Sequence, residues 1–118
     1  MIAFIANIIR SFNLESDLQT QCENFLKNCG IKYHHKHNNS RQHFRRGTNV
    51  CAKGLPDLII AGKNGVTVYV ELKDGEGKKI TKEQSEWIDY LKNNMHKVFI
   101  VYSFNKFVEI LLENKVII

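Results

Sequence analysis

Asp57, Glu71 and Lys73 stand in the stretch GLPDLIIAGKNGVTVYVELKD, residues 54–74, whose other residues alternate like an apolar hairpin. Two carboxylates and an amine of this kind can hold a divalent cation and act on a water molecule or a phosphate beside it. Whether they meet depends on register. The three-residue loop Lys63-Asn64-Gly65 suits a type I turn closed by a glycine in the left-handed region, which pairs Gly62 with Val66 and therefore Asp57 with Glu71. Leu58, Ile60, Val68, Val70 and Leu72 then share one face, and Asp57, Ile59, Tyr69, Glu71 and Lys73 share the other. A slip of one residue would mix the two faces, which a sheet with a buried side resists.

In that register the two carboxylates face each other with β-carbons about 5 Å apart, a destabilising arrangement unless positive charge offsets it. Lys73 supplies one charge and a cation such as magnesium supplies two, with oxygen ligands from Asp57, Glu71 and in one arrangement Glu15. The same three charges would also make an exposed ion-pair cluster worth little, and both arrangements satisfy the spacing.

The flanking elements follow from periodicity. Over residues 13–29, Leu14, Leu18, Cys22, Phe25, Leu26 and Cys29 recur at helical spacing, with Asn13 as the cap and Gly30 as the stop. Glu15 would fall within about 50° of the centre of that apolar stripe, while Asp17 and Glu23 point away from it. It either turns inward or simply suits the positive end of the helix dipole. Residues 31–36 suit a strand, and residues 37–53 a long polar loop. Thr81, Lys82, Glu83 and Gln84 match a capping box that opens a helix with Gln84, Trp87, Ile88, Leu91 and Met95 on one stripe. Residues 98–102 suit an apolar strand buried on both faces, and Ser103 caps a last helix carrying Phe107, Val108, Leu111 and Leu112. A strand, crossover helix and strand in sequence make a parallel pair, so an α/β mixed sheet flanked by helices is expected.

At 118 residues with 43% apolar content the chain fits a single domain, residues 1–118, with a modest core. The net charge is +5. Between Glu23 and Asp57 there is no acidic residue, whereas Lys27, Lys32, Lys36, Arg41, Arg45, Arg46 and Lys53 are all basic, a block that suits a polyanionic partner. The three cysteines show no CxxC or paired spacing, so a reducing, cytoplasmic setting is expected and the thiols read as packing groups. The apolar residues 1–12 are too short to span a bilayer and lack the basic start of a signal peptide, which leaves a docking role.

GLPD followed by a strand bearing ELK resembles the PD-(D/E)xK nuclease superfamily. With a helix-borne glutamate ahead and TxxQxxW behind, here Glu15, Gly54-Leu55-Pro56-Asp57-Leu58, Glu71-Leu72-Lys73 and Thr81 to Trp87, the sequence is similar to the VRR-NUC branch over about residues 14–103. The resemblance implies a restriction-endonuclease-like αβββαβ core, a four-stranded mixed sheet flanked by helices, plus a C-terminal helix. It also implies Mg²⁺ or Mn²⁺ held by Asp57, Glu71, the Leu72 carbonyl and Glu15, directly or through water. Lys73 would orient the attacking water and stabilise developing phosphate charge, with Gln84 beside it. The reaction implied is hydrolysis of DNA phosphodiester bonds, and standalone members resemble Holliday junction resolvases acting as homodimers on branched DNA. Residues 1–12 lie outside the branch's core and could be a dimer contact or pack on their own subunit. Asn94-Met95-His96 replaces the glycine expected before the last core strand.

Lys36, Arg41, Arg45, Arg46 and Lys53 are then the expected DNA contacts, with Phe44 a stacking group. His34, His35, His37, His43 and Cys51 show no complete four-ligand spacing, so neither structural zinc nor an HNH-type site is expected. The competing class is a catalytically silent nucleic-acid-binding module of the same fold. A sequence-specific restriction enzyme would need a recognition element that the chain does not display.

Overall fold

The computed structural model describes residues 17–36, 53–75 and 78–117. Glu15, the apolar residues 1–12 and most of the basic segment, with Arg41, His43, Phe44, Arg45, Arg46 and Cys51, lie outside the described residues. The described elements run α1 (Leu18–Asn28), β1 (Lys32–His35), β2 (Leu58–Ala61), β3 (Thr67–Leu72), α2 (Lys82–Asn93), β4 (Lys97–Val101) and α3 (Phe104–Glu113). The strands form one sheet in the order β1-β2-β3-β4. β1, β2 and β3 pair antiparallel, and β3 and β4 pair parallel across the α2 crossover. This is the mixed sheet expected from the sequence. Among the described residues no helix is long and apolar enough to cross a membrane.

Alternation along the strands divides the apolar residues between two cores. Leu58, Ile60, Val68, Val70 and Val101 join Leu18, Cys22, Phe25 and Leu26 of α1 and Phe104, Phe107, Val108 and Leu111 of α3. Phe25 meets Phe104 edge to face at 5.6 Å between ring centroids, which ties the two helices together. On the opposite face Ile88 and Leu91 of α2 close over Val98, with Tyr69, Ile80, Trp87 and Ile100 around them. Each fully buried aliphatic side chain contributes roughly 1.5–3 kcal/mol. Burying Val68 and Val70 under α1 and α3 therefore obliges Tyr69 and Glu71 to face α2.

The hairpin register is the expected one. Leu58 pairs with Val70 and Ala61 with Thr67, Gly65 turns at φ 77°, and the Gly62 N–H donates to the Val66 carbonyl at 2.7 Å. Two expectations fail at helix ends. α1 starts at Leu18 because Asp17, with extended backbone and a carboxylate accepting from the Thr20 N–H, is its cap instead of Asn13. The expected place of Glu15 on the apolar stripe falls outside the described residues. At the other helix, α2 stops at Asn93, so Met95 leaves the stripe and is 92% exposed. It adopts φ 66° while the Met95 N–H donates to the Lys92 carbonyl and the His96 N–H to the Leu91 carbonyl. That is the left-handed helix stop that glycine usually fills, made here by methionine at a cost of about 1 kcal/mol.

The segment before β2 is seated on α2. Gly54 has φ 88°, and a Cβ built there would lie 2.4 Å from the Glu83 carbonyl carbon. Pro56 is fully buried, and Lys53 pairs with Glu83 at 3.5 Å. Gly54→Ala is expected to destabilise the protein by roughly 2–4 kcal/mol through backbone overlap as well as strain. Gly65→Ala, at φ 77° with no atom within 4 Å of the added carbon, should cost only about 1 kcal/mol. Denaturant titration of the two variants checks the difference, and equal losses would rule out the tight seat at Gly54.

Candidate active site

Asp57 precedes and Glu71 follows the Leu58 and Val70 pair that ends the β2/β3 ladder; Glu71 bonds to Gln84 of α2, and the Asp57 charge acts on it. Backbone bonds continue past the strand ends and fix both edges of the site. The Lys36 N–H donates to the Asp57 carbonyl and the Lys73 N–H to the Val101 carbonyl, each at 2.9 Å. The Asp57 carboxylate accepts from the Leu72 N–H at 2.8 Å, which aims it across the hairpin.

Glu71 is 2% exposed, the one charged residue buried in the described fold. Its Oε2 accepts from Gln84 Nε2 at 3.0 Å and lies 3.6 Å from Lys73 Nζ. Lys73 Nζ in turn donates to Gln84 Oε1 at 2.9 Å, and the Thr81 N–H donates to the same oxygen at 3.0 Å. One carboxamide therefore completes the capping box of α2 and holds both the acid and the amine. Its orientation follows from its partners, since only the amide oxygen can accept from Lys73 and Thr81. Burial and then the neighbouring Asp57 charge push the Glu71 carboxyl up to about 7, against the opposing pull of Lys73 and Lys36.

The two acids differ in access. Asp57 lines an open cleft of ≈ 490 Å³ together with Asp17, Leu18, Gln19, Thr20, Leu72 and Asp74, whereas Glu71 is buried and bonded to Gln84 of α2. Asp17 is kept below its ordinary carboxylate range by hydrogen bonds from Thr20, first its N–H and then its hydroxyl. Sequence reasoning missed Asp17 and Asp74 as cleft residues. The Asp17-x-x-Thr20 spacing signals a helix cap, and that signal was available. Lys36 and Lys53 flank the GLPD segment: Lys36 Nζ donates to the Leu55 carbonyl, and Lys53 is exposed beside Glu83. Of the histidines, His34 is exposed, and His35 is half-buried with a ring nitrogen 2.8 Å from Gln19 Nε2. Cys22 is buried and Cys29 partly so, both as free thiols, in keeping with packing roles.

The VRR-NUC domain model matches residues 6–105. The chain belongs to the VRR-NUC family. That family is of nuclease type. A solved structure titled "VRR_NUC domain" superposes with a TM-score of 0.60 at 23% identity, covering 80% of this chain and 89% of that one. Another, titled "VRR_NUC domain protein", does so with a TM-score of 0.53 at 21% identity, covering 70% of this chain and 66% of that one. Both are similar in fold. No curated protein matches the chain. The VRR-NUC match starts at Ala6, so it takes in part of the apolar segment that the motifs alone left outside.

Among the described residues no three His, Cys, Asp or Glu side chains come together as a cation site. The pair that does meet carries a specific vacancy in its bonding. Glu71 Oε1 is buried and has no hydrogen-bond partner among the described residues. An orphaned carboxylate oxygen beside a second carboxylate is what a hard, oxygen-seeking divalent cation satisfies, so the VRR-NUC residues fit such an ion.

The raised Glu71 acidity makes a measurable prediction. A carboxyl at about 7 when folded and near 4.5 when unfolded binds its proton more tightly in the folded state. Its favourable contribution is therefore full below about pH 4.5 and lost as pH rises through 7. In chelator the wild type should lose on the order of 2 kcal/mol from this residue between pH 5 and pH 8, and Glu71→Gln should not. The variant should then melt higher than wild type at pH 8 without metal and gain nothing from added Mn²⁺. Identical metal-free melting curves at pH 8 would mean that Glu71 is not desolvated.

Proposed function

We propose that this protein is a divalent-metal-dependent endonuclease that hydrolyses DNA phosphodiester bonds. The observation that carries the proposal is the buried, unpartnered Glu71 Oε1 set against Asp57, with a lysine ammonium 3.6 Å from the other oxygen of the same carboxylate. Membership of a nuclease-type family, whose members generally use a divalent cation, supports it.

Asp57 and Glu71 would hold Mg²⁺ or Mn²⁺. The Leu72 carbonyl is a further ligand, since an extended residue whose N–H faces Asp57 turns its C=O to the same side. Glu15 would add a ligand directly or through water. Bound there, the cation supplies Lewis acidity toward the scissile phosphate and lowers the pKa of a coordinated water. Lys73, beside Glu71, would orient the attacking water and stabilise charge that develops on the phosphate. Gln84 prevents Lys73 from collapsing fully onto Glu71, because its oxygen holds Nζ at 2.9 Å while its amide nitrogen holds the acid. Lys53, Arg41, Arg45 and Arg46 would bind the DNA backbone.

The substrate proposed is branched DNA such as a four-way junction, read by shape. A run of basic residues uninterrupted by any acidic one between Glu23 and Asp57 favours backbone contact over base contact. A homodimer would set two such sites about a two-fold axis, one for each strand to be cut.

Labelled linear, flap, splayed and four-way DNAs incubated with Mg²⁺, Mn²⁺ or chelator test the reading. Cleavage should need the cation and favour the junction, and Lys73→Ala should slow it about 10²–10³-fold while Mn²⁺ still binds. Undiminished cutting by that variant would remove the role given to Lys73. Mn²⁺ binding without cleavage of any substrate would leave a silent nucleic-acid-binding module instead.

A further inference from the structure

Lys36 carries one of the seven charges of the basic block, yet its ammonium is directed at the protein itself. It follows the last residue of β1 and touches the GLPD segment twice. Its N–H donates to the Asp57 carbonyl at 2.9 Å, and its Nζ donates to the Leu55 carbonyl, also at 2.9 Å. Pro56 lies between those two carbonyls, is fully buried and has no N–H with which to brace the turn. Lys53, at the other end of the segment, has a side chain 70% exposed and pairs with Glu83, so the two lysines of the same charge block do different work.

We infer that Lys36 is a positioning residue of the active site, which clamps residues 55–57 from the β1 edge and so fixes the Asp57 carboxylate against the Leu72 N–H. The inference rests on the metal site proposed above. A charge-assisted bond to a half-buried carbonyl is worth more than an ordinary one, and breaking it to reach a phosphate would release the turn that carries Asp57. The Lys36 charge also reaches Glu71, where it favours the ionised acid. Substrate contact alone would explain neither bond.

Wild type, Lys36→Met and Lys36→Arg are to be compared in three measurements: amide hydrogen exchange in chelator, calorimetric titration with Mn²⁺, and duplex DNA binding across salt concentrations in chelator. Lys36→Met should speed exchange of the Leu72 amide at least tenfold while leaving the Val70 amide unchanged. It should weaken Mn²⁺ binding at least tenfold and leave the salt dependence of DNA binding unaltered. Lys36→Arg keeps a long donor and should restore both properties to within about threefold.

Leu72 protection unchanged in Lys36→Met would overturn the inference. So would equal acceleration of Leu72 and Val70, since that is general destabilisation. A salt slope smaller by about 1 with Leu72 protection intact would return Lys36 to the phosphate contacts. If wild type itself takes up no Mn²⁺, the metal reading falls, while exchange at Leu72 still decides whether Lys36 holds the turn.

Discussion

The site is organised around a repulsion that the backbone enforces. Once Gly65 closes the turn and Val68 and Val70 are buried beneath α1 and α3, Glu71 has no freedom to avoid Asp57. A slip of one residue would separate them but expose both valines, at roughly 2 kcal/mol each. Apolar burial thus wins over electrostatic repulsion, and the carboxylates are held at close quarters in a partly desolvated place. The stress is visible in the acidity of Glu71 and in its unpartnered oxygen.

The surrounding structure answers that repulsion with positive charge from two directions. Lys73 comes from β3 itself, fixed by its own N–H on β4, and Lys36 comes from the end of β1. Gln84 joins Lys73 and Glu71 to the start of α2, so the capping of a helix and the geometry of the acid are one network. Gly54 completes it, because only a residue without a side chain lets the segment before Asp57 rest on the Glu83 backbone. The site is thus tied to the end of β1, to β2, to β3 and to the start of α2, and each long side chain in it is held at its far end by a hydrogen bond.

Sequence reasoning reached the parts of this arrangement that period and turn chemistry dictate. Strand alternation and the position of Gly65 gave the facing of Asp57 and Glu71, and the Thr81 to Gln84 spacing gave the capping box. The start of α1 was not recoverable in the same way. Leu14 continues the apolar spacing backwards, and Asn13 and Asp17 are both good caps, so only the structure shows which one ends the helix. The spacing of Met95 from Leu91 suits a helix, yet the helix ends at Asn93 and Met95 takes a left-handed conformation that methionine seldom adopts. Lys36 and Lys53 look alike in a charge count. What separates them, a carbonyl within reach of one ammonium and an exposed carboxylate beside the other, is tertiary.

The described cleft is lined by Asp17, Asp57 and Asp74 and by no basic side chain. A phosphate entering it alone would meet like charge, while Lys73 and Lys36 are engaged with Gln84 and the Leu55 carbonyl. A cation and a phosphate would therefore have opposite access to the site: the carboxylates would draw in the first, and the second would become favourable only once that charge had been offset. The basic block of the sequence cannot substitute for this step, because screening over about 10 Å at ordinary ionic strength limits its help to holding the polyanion near the cleft. The half-buried Asp57 and buried Glu71 on one side, and the basic block of the sequence on the other, would thus act at different ranges on a polyanion.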